Sequence, residues 1–145
     1  MLYLIIIIGV VLDLFTKNLA FNSLQDRISI LGNFLYLQYF ENTGIAFSTQ
    51  VPGLKYLTII LIIGIFIYYF SERKNTKNNN LLDLSFGLIL AGAIGNGIER
   101  VFNGYVIDFI GVKYFSVFNL ADSFITIGAI IYLYLILKPF TTEKE

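Results

Sequence analysis

The 145-residue chain is 57% hydrophobic with a mean hydropathy of +0.74, where a soluble domain is roughly 45–50% apolar; the excess lies in long runs, so its solvent is lipid. Ten Lys plus Arg balance ten Asp plus Glu, which leaves no cationic field to attract nucleic acid. Because Cys and His are both absent, disulfides, the common zinc sites and imidazole-based nucleophilic mechanisms are excluded; no metal or cofactor is expected, and hydrolytic chemistry falls to carboxylates, Lys, Ser/Thr or Tyr.

A spanning helix needs about 20 mostly apolar residues, and four segments approach this. The first runs from Leu2 to about Ala20. No basic leader precedes it and no small-residue cleavage site follows, so it reads as a retained helix rather than a signal peptide. Asp13 and Lys17 interrupt it at i, i+4, a spacing that puts them on one face and lets them pair. The stretch from about Phe21 to Gly53 is the one long connection. Ile28–Leu31 and Phe34–Tyr39 are β-rich and flank Gly32-Asn33, which predicts a hairpin lying on the membrane surface. The second span, Leu54 to Phe70, is apolar below Lys55.

Ser71 to Asn80 reads SERKNTKNNN, with Arg73, Lys74 and Lys77 against Glu72. The positive-inside rule places this turn in the cytoplasm, with both termini, and sends the other loops outward. With this turn included, Lys and Arg divide evenly between the two sides, five and five, so the orientation rests on charge density in the turn. In the third span, Leu81 to about Ile98, Gly87, Ala91 and Gly95 form a small-residue seam for close helix packing. Gly92, Asn96 and Arg100 form the neighbouring stripe. Arg100 can serve a site or snorkel to headgroups, and Asn96 can serve a site or bond another helix. Asp108 follows in an outer loop between Ile107 and Phe109. The fourth span runs from about Leu120 to Leu137, before Pro139, with Asn119, Asp122 and Thr126 on one face. Asn119 with an acid three residues later also reads as an N-cap and capping box. The fold expected is an all-α membrane protein, one integral membrane domain over 1–145 with four transmembrane helices and a small extracytoplasmic β-hairpin or cradle.

Ionisable groups inside spans are costly and mark function. Asp13, Lys17, Asn96, Glu99, Arg100, Asp108, Asn119 and Asp122 all fall at the outer ends of their helices or in the outer loop, which predicts one polar site at that interface. Two carboxylates brought together there share one proton near neutral pH. The ionised member activates water and the protonated one donates to a peptide carbonyl. The positive end of helix 4 favours the ionised form of Asp122 and so its role as base. A proton or ion relay is the competing function. It requires relay groups distributed through the membrane depth, whereas helix 2 is almost wholly apolar below Lys55 and the inner halves of helices 1 and 4 carry no charge.

Four motifs in order carry a resemblance: Asp13-Leu14-Phe15-Thr16-Lys17; Glu41-Asn42-Thr43-Gly44-Ile45-Ala46-Phe47-Ser48; Gly95-Asn96-Gly97-Ile98-Glu99-Arg100 running into Val106-Ile107-Asp108-Phe109; and Phe118-Asn119-Leu120-Ala121-Asp122-Ser123. With this spacing, over about residues 10 to 130, the chain resembles the lipoprotein signal peptidase (signal peptidase II) family of bacterial membrane aspartyl proteases. The resemblance implies a catalytic dyad of Asp108 and Asp122 and a substrate site lined by Asn42, Asn96, Arg100 and Asn119, with Gly44 allowing close backbone approach. Asp13, Lys17 and Glu99 are expected in support. It also implies a β-structured cradle and a prolipoprotein substrate cut N-terminal to its diacylglyceryl-Cys. The lipid would hold the scissile bond at the outer leaflet of the bacterial cytoplasmic membrane. Inhibition by globomycin-like cyclic peptides and a monomeric state follow from the same resemblance. Glu99 stands where the family pattern has Asp, Ala91 where Gly is usual, and Ser116 where Pro is common. These departures keep open a catalytically inactive scaffold, against which stands the presence of both aspartates.

Overall fold

The computed structural model describes residues 1–44, 52–75 and 79–137. Its helices are α1 (Leu2–Ser23), α2 (Leu54–Asn75), α3 (Asn79–Phe102) and α4 (Leu120–Leu137), each long and apolar enough to cross a membrane. Four strands, β1 (Ile28–Leu31), β2 (Leu35–Asn42), β3 (Val106–Val112) and β4 (Val117–Phe118), form one antiparallel sheet in that order. Chain connectivity puts the sheet at one end of the bundle: α1 and α3 run into it, and α2 and α4 leave from it.

Helix α3 is the axis of the bundle, packed against α1, α4 and α2. Its small-residue seam meets α1 with the two helices parallel. A side-chain carbon on Gly87 would strike Ile5, one on Gly9 would lie 2.6 Å from the Ala91 methyl, and one on Gly95 would collide with the Asp13 carboxylate. One turn further on, Lys17 pairs with Glu99 at 2.9 Å. The same ladder of contacts thus passes from apolar packing to an ion pair. On its other side α3 approaches α4 just as closely, Gly92 against the Ala121 carbonyl and Ser85 Oγ donating to the Gly128 carbonyl. Most of the apolar outer surface of α1, α2 and α4 is exposed, as expected of helices whose solvent is lipid.

The predicted hairpin is present, turned through Gly32 at φ 53°. Two things differ from the sequence expectation. The second strand runs on to Asn42, and the stretch holding Asp108 is not a loop but the strand β3, paired with β2 (Phe40 opposite Asp108, Asn42 opposite Val106). The reason is burial on both faces: Ile107 and Phe109 pack beneath the sheet with Ala20 of α1, while Val106 and Asp108 face a cavity. Such a strand reads as a continuous apolar run without alternation. The Ile45–Ser48 part of the second motif, Lys77 of the basic turn and Lys138 and Lys144 lie outside the described residues.

A second buried polar cluster lies at the far end of the bundle. Tyr69 donates to Asp83 at 2.6 Å, and Arg73 contacts both. Leu82, Phe86 and Leu90, with Leu2 and Ile6, fill the core on that side. Asp83 gave no signal in the sequence because an acid near a helix start reads as an ordinary first-turn residue.

Candidate active site

The sheet and the α3–α4 pair enclose a cavity of about 1090 Å³. Asn42, Asn96, Arg100, Asp108 and Asp122 form its polar wall; Phe115, Phe118, Thr126 and Ile127 continue it along α4. The two aspartates arrive by different routes. Asp108 projects from β3 because its strand neighbours Ile107 and Phe109 are committed to the core beneath. Asp122 sits in the first turn of α4, where Asn119 is the N-cap.

The cap and the site are built from the same atoms. Asn119 Oδ1 accepts from the Asp122 amide at 3.0 Å, and Asp122 Oδ2 accepts from the Asn119 amide at 3.1 Å, a reciprocal capping pair. The Asn119 side-chain amide, left over from capping, donates to Asp108 Oδ1 at 2.7 Å and to Asn96 Oδ1 at 3.1 Å. Asn119 is therefore bonded to both aspartates. It is fully buried behind them, so it braces the carboxylates from below instead of lining the cavity as expected. Asn42 donates to Asp108 Oδ2 at 2.9 Å, and Asn96 donates to Asp122 Oδ1 at 2.9 Å.

The orientation of the Asn96 amide is set by Lys17. The ammonium donates to Asn96 Oδ1 at 2.7 Å and pairs with Asp13 at 2.8 Å and Glu99 at 2.9 Å. One hydrogen bond and two ion pairs surround the ammonium, which compensates the burial of this Lys (1% exposed). With its oxygen held by Lys17 and Asn119, Asn96 can turn only its NH2 toward Asp122. The two acids of this cluster each reach the chain one residue before an aspartate: Asp13 accepts the Ala121 amide at 2.9 Å, and Glu99 accepts the Ile107 amide at 3.1 Å. Sequence spacing predicted the Asp13–Lys17 pair but not this second link. The Glu99 carboxylate turns to Lys17 and to the β3 backbone.

Arg100 reaches the cavity from the end of α3, its Nη2 3.4 Å from the Gly44 carbonyl. Among the described residues its Nε has no hydrogen-bond partner. Gly44 is buried; its amide donates to Asn42 Oδ1 at 3.0 Å, which turns the Asn42 NH2 to Asp108. Burial, strengthened by the nearby Asp122 charge, pushes the Asp108 carboxyl up to about 6 against the donors Asn42 and Asn119.

Comparison with known proteins gives the family. The family model described as Signal peptidase (SPase) II matches residues 5–138. A lipoprotein signal peptidase of Caldicellulosiruptor bescii is 44% identical over 95% of this chain and 92% of its own length. Another from Caldanaerobacter subterraneus is 43% identical over 94% and 96%. A solved structure, described as a bacterial membrane enzyme determined by the in meso method at 2.3 Å resolution, superposes with a TM-score of 0.81 at 31% identity, covering 99% of this chain and 91% of the other. The chain belongs to the signal peptidase II family, and it is an aspartic-type membrane peptidase.

Proposed function

We propose that Asp108 and Asp122 are the catalytic dyad, with Asp108 holding the shared proton and Asp122 ionised. Asp108 is the more buried carboxyl and its affinity for a proton is raised; Asp122 receives two N–H donors at a helix N-terminus, which favours its charge. A water between them loses a proton to Asp122 and attacks the scissile carbonyl carbon while Asp108 protonates its oxygen. The diol then collapses, the C–N bond breaks, the proton held by Asp122 passes to the leaving nitrogen, and a diol hydroxyl returns a proton to Asp108. Arg100 lines the cavity, its Nε has no hydrogen-bond partner among the described residues, and its guanidinium is suited to a substrate carbonyl.

The substrate is a prolipoprotein signal peptide cleaved before its diacylglyceryl-Cys. The single observation that carries this is the union, in one cavity, of a paired-carboxylate wall with an apolar flank along α4. A peptide with a lipidated residue requires both. The bilayer then supplies proximity by holding the scissile bond at the depth of the dyad. Globomycin-like cyclic peptides would fill the same cavity. The dyad lies at the outer leaflet of a bacterial cytoplasmic membrane, with both termini inside and one chain sufficient for activity.

The test is turnover of a lipidated prolipoprotein by wild type, Asp108→Asn and Asp122→Asn. Each variant keeps its helical content and loses cleavage by several orders of magnitude, and a chelator leaves the wild-type rate unchanged. Wild-type turnover by either variant overturns the dyad.

A further inference from the structure

A second concave site lies at the tip of the sheet, outside the chemistry above. Two turns meet there, since the Lys113 amide donates to the Phe34 carbonyl at 2.8 Å. The hollow of about 570 Å³ is walled by Arg27, Asn33, Tyr36, Lys113 and Tyr114. Arg27 lies 3.8 Å above the Tyr36 ring, and the Lys113 ammonium lies 4.6 Å from the Tyr114 ring. No acid lines the hollow, and among the described residues neither cation has a carboxylate within ion-pair distance. Apolar side chains surround this uncompensated charge: Leu31 and Phe34 on one turn, Phe115 on the other at 67% exposed. Tyr114 is 93% exposed and has φ 65°, a conformation that Gly or Asn adopts more cheaply. The strain holds an aromatic ring outward.

We propose that this tip seats in the headgroup layer of the leaflet at its end of the bundle and binds the phosphate of an anionic phospholipid between Arg27 and Lys113. Aromatic rings beside cations are the side chains that settle at the membrane–water interface, and a basic hollow there selects anionic headgroups. Depth favours lipid over a soluble partner. Phe115, Ser116 and Val117 line this hollow and the main cavity alike, and the main cavity runs down α4 to Thr126 and Ile127, residues of a membrane span. The tip therefore shares a wall with a cavity that extends along a helix long and apolar enough to span the membrane. A headgroup held here would lie beside the path by which a lipidated peptide enters.

The chain contains no Trp, so Tyr114→Trp supplies a single fluorophore, with Phe115→Trp as a second reporter. The full-length protein is placed in nanodiscs of phosphatidylcholine and phosphatidylglycerol, with one lipid or the other brominated near the headgroup end of its acyl chains. The expected result is quenching by both lipids, stronger with brominated phosphatidylglycerol at equal mole fraction. Arg27→Gln with Lys113→Gln removes that preference, at about fivefold per cation. Absence of quenching from both reporters overturns the proposal and leaves the tip for water or a soluble partner. Equal quenching by the two lipids overturns the phosphate site. An emission shift caused by inorganic phosphate in phosphatidylcholine alone, without preference for phosphatidylglycerol, makes it a free-anion site and also overturns it.

Discussion

Lys17 holds more of the site than either aspartate does. Its ammonium pairs with two buried carboxylates, and each of those fixes the backbone amide just before Asp108 or Asp122. Lys17→Met leaves Asp13 and Glu99 buried without a counter-charge, a loss of about 3–5 kcal/mol. We expect a large fall in the thermal midpoint in detergent together with loss of cleavage. The proton inventory gives a second prediction. Asp108 titrates about 6 in the folded protein against 3.8 ordinarily, so its acid form is lost as pH rises through 6. The kcat/KM of the free enzyme therefore falls above about pH 6. By linkage, the preference for the fold is fully present below 3.8 and declines by a few kcal/mol, on the order of 3, as pH rises to 6. Asn42 donates to the ionised form; Asn42→Ala raises the Asp108 pKa and moves the alkaline limb of the rate profile to higher pH. An unmoved limb would assign that limb to another group. Legibility also divides at this scale. The residues of the site were readable because charge in an apolar span stands out, but their partners were not. Glu99 sits beside Arg100 in sequence, and nothing in a linear pattern says that its side chain turns across to another helix.

At the scale of elements, the α1–α3 interface shows how an exchange of residue types is absorbed. Ala91 occupies a seam position where the resemblance leads one to expect Gly, and Gly9 faces it from α1 with no room for a methyl. Gly9→Ala alone overpacks the crossing and costs about 1–3 kcal/mol. Adding Ala91→Gly moves the methyl to the other helix and recovers most of that loss. Thermal midpoints of the two single variants and the double variant check this. The helices were plain from hydropathy, and the hairpin from its Gly-Asn turn. Strand β3 was hidden because both of its faces are buried, which erases the period of two on which strand recognition depends. Strand β4, at two residues, is too short to carry any period.

For the whole molecule, orientation is the property that decides which compartment sees the dyad. Arg73 and Lys74 end α2 on the face opposite the sheet, which supports a cytoplasmic assignment there. The natural absence of Cys makes this directly testable. Ser29→Cys on β1 should react with an impermeant maleimide in intact spheroplasts, and Ser71→Cys at the end of α2 only after permeabilisation. The reverse pattern would invert the topology. The gross architecture was legible because a lipid solvent writes long apolar runs into a sequence. The sheet's closure over the bundle was not, since it depends on pairing between β2 and β3, segments separated by two helices.

The tie between Asp13 and the Ala121 amide joins the first helix to the last. Asp13 and Lys17 of α1 with Asn96 and Glu99 of α3 form a socket between those two helices. Only when the final helix docks does that socket receive an amide and a capping asparagine. Detaching α4 would take away the shared brace of the two aspartates and the amide that Asp13 holds, so the paired-carboxylate wall exists only with all three helices assembled.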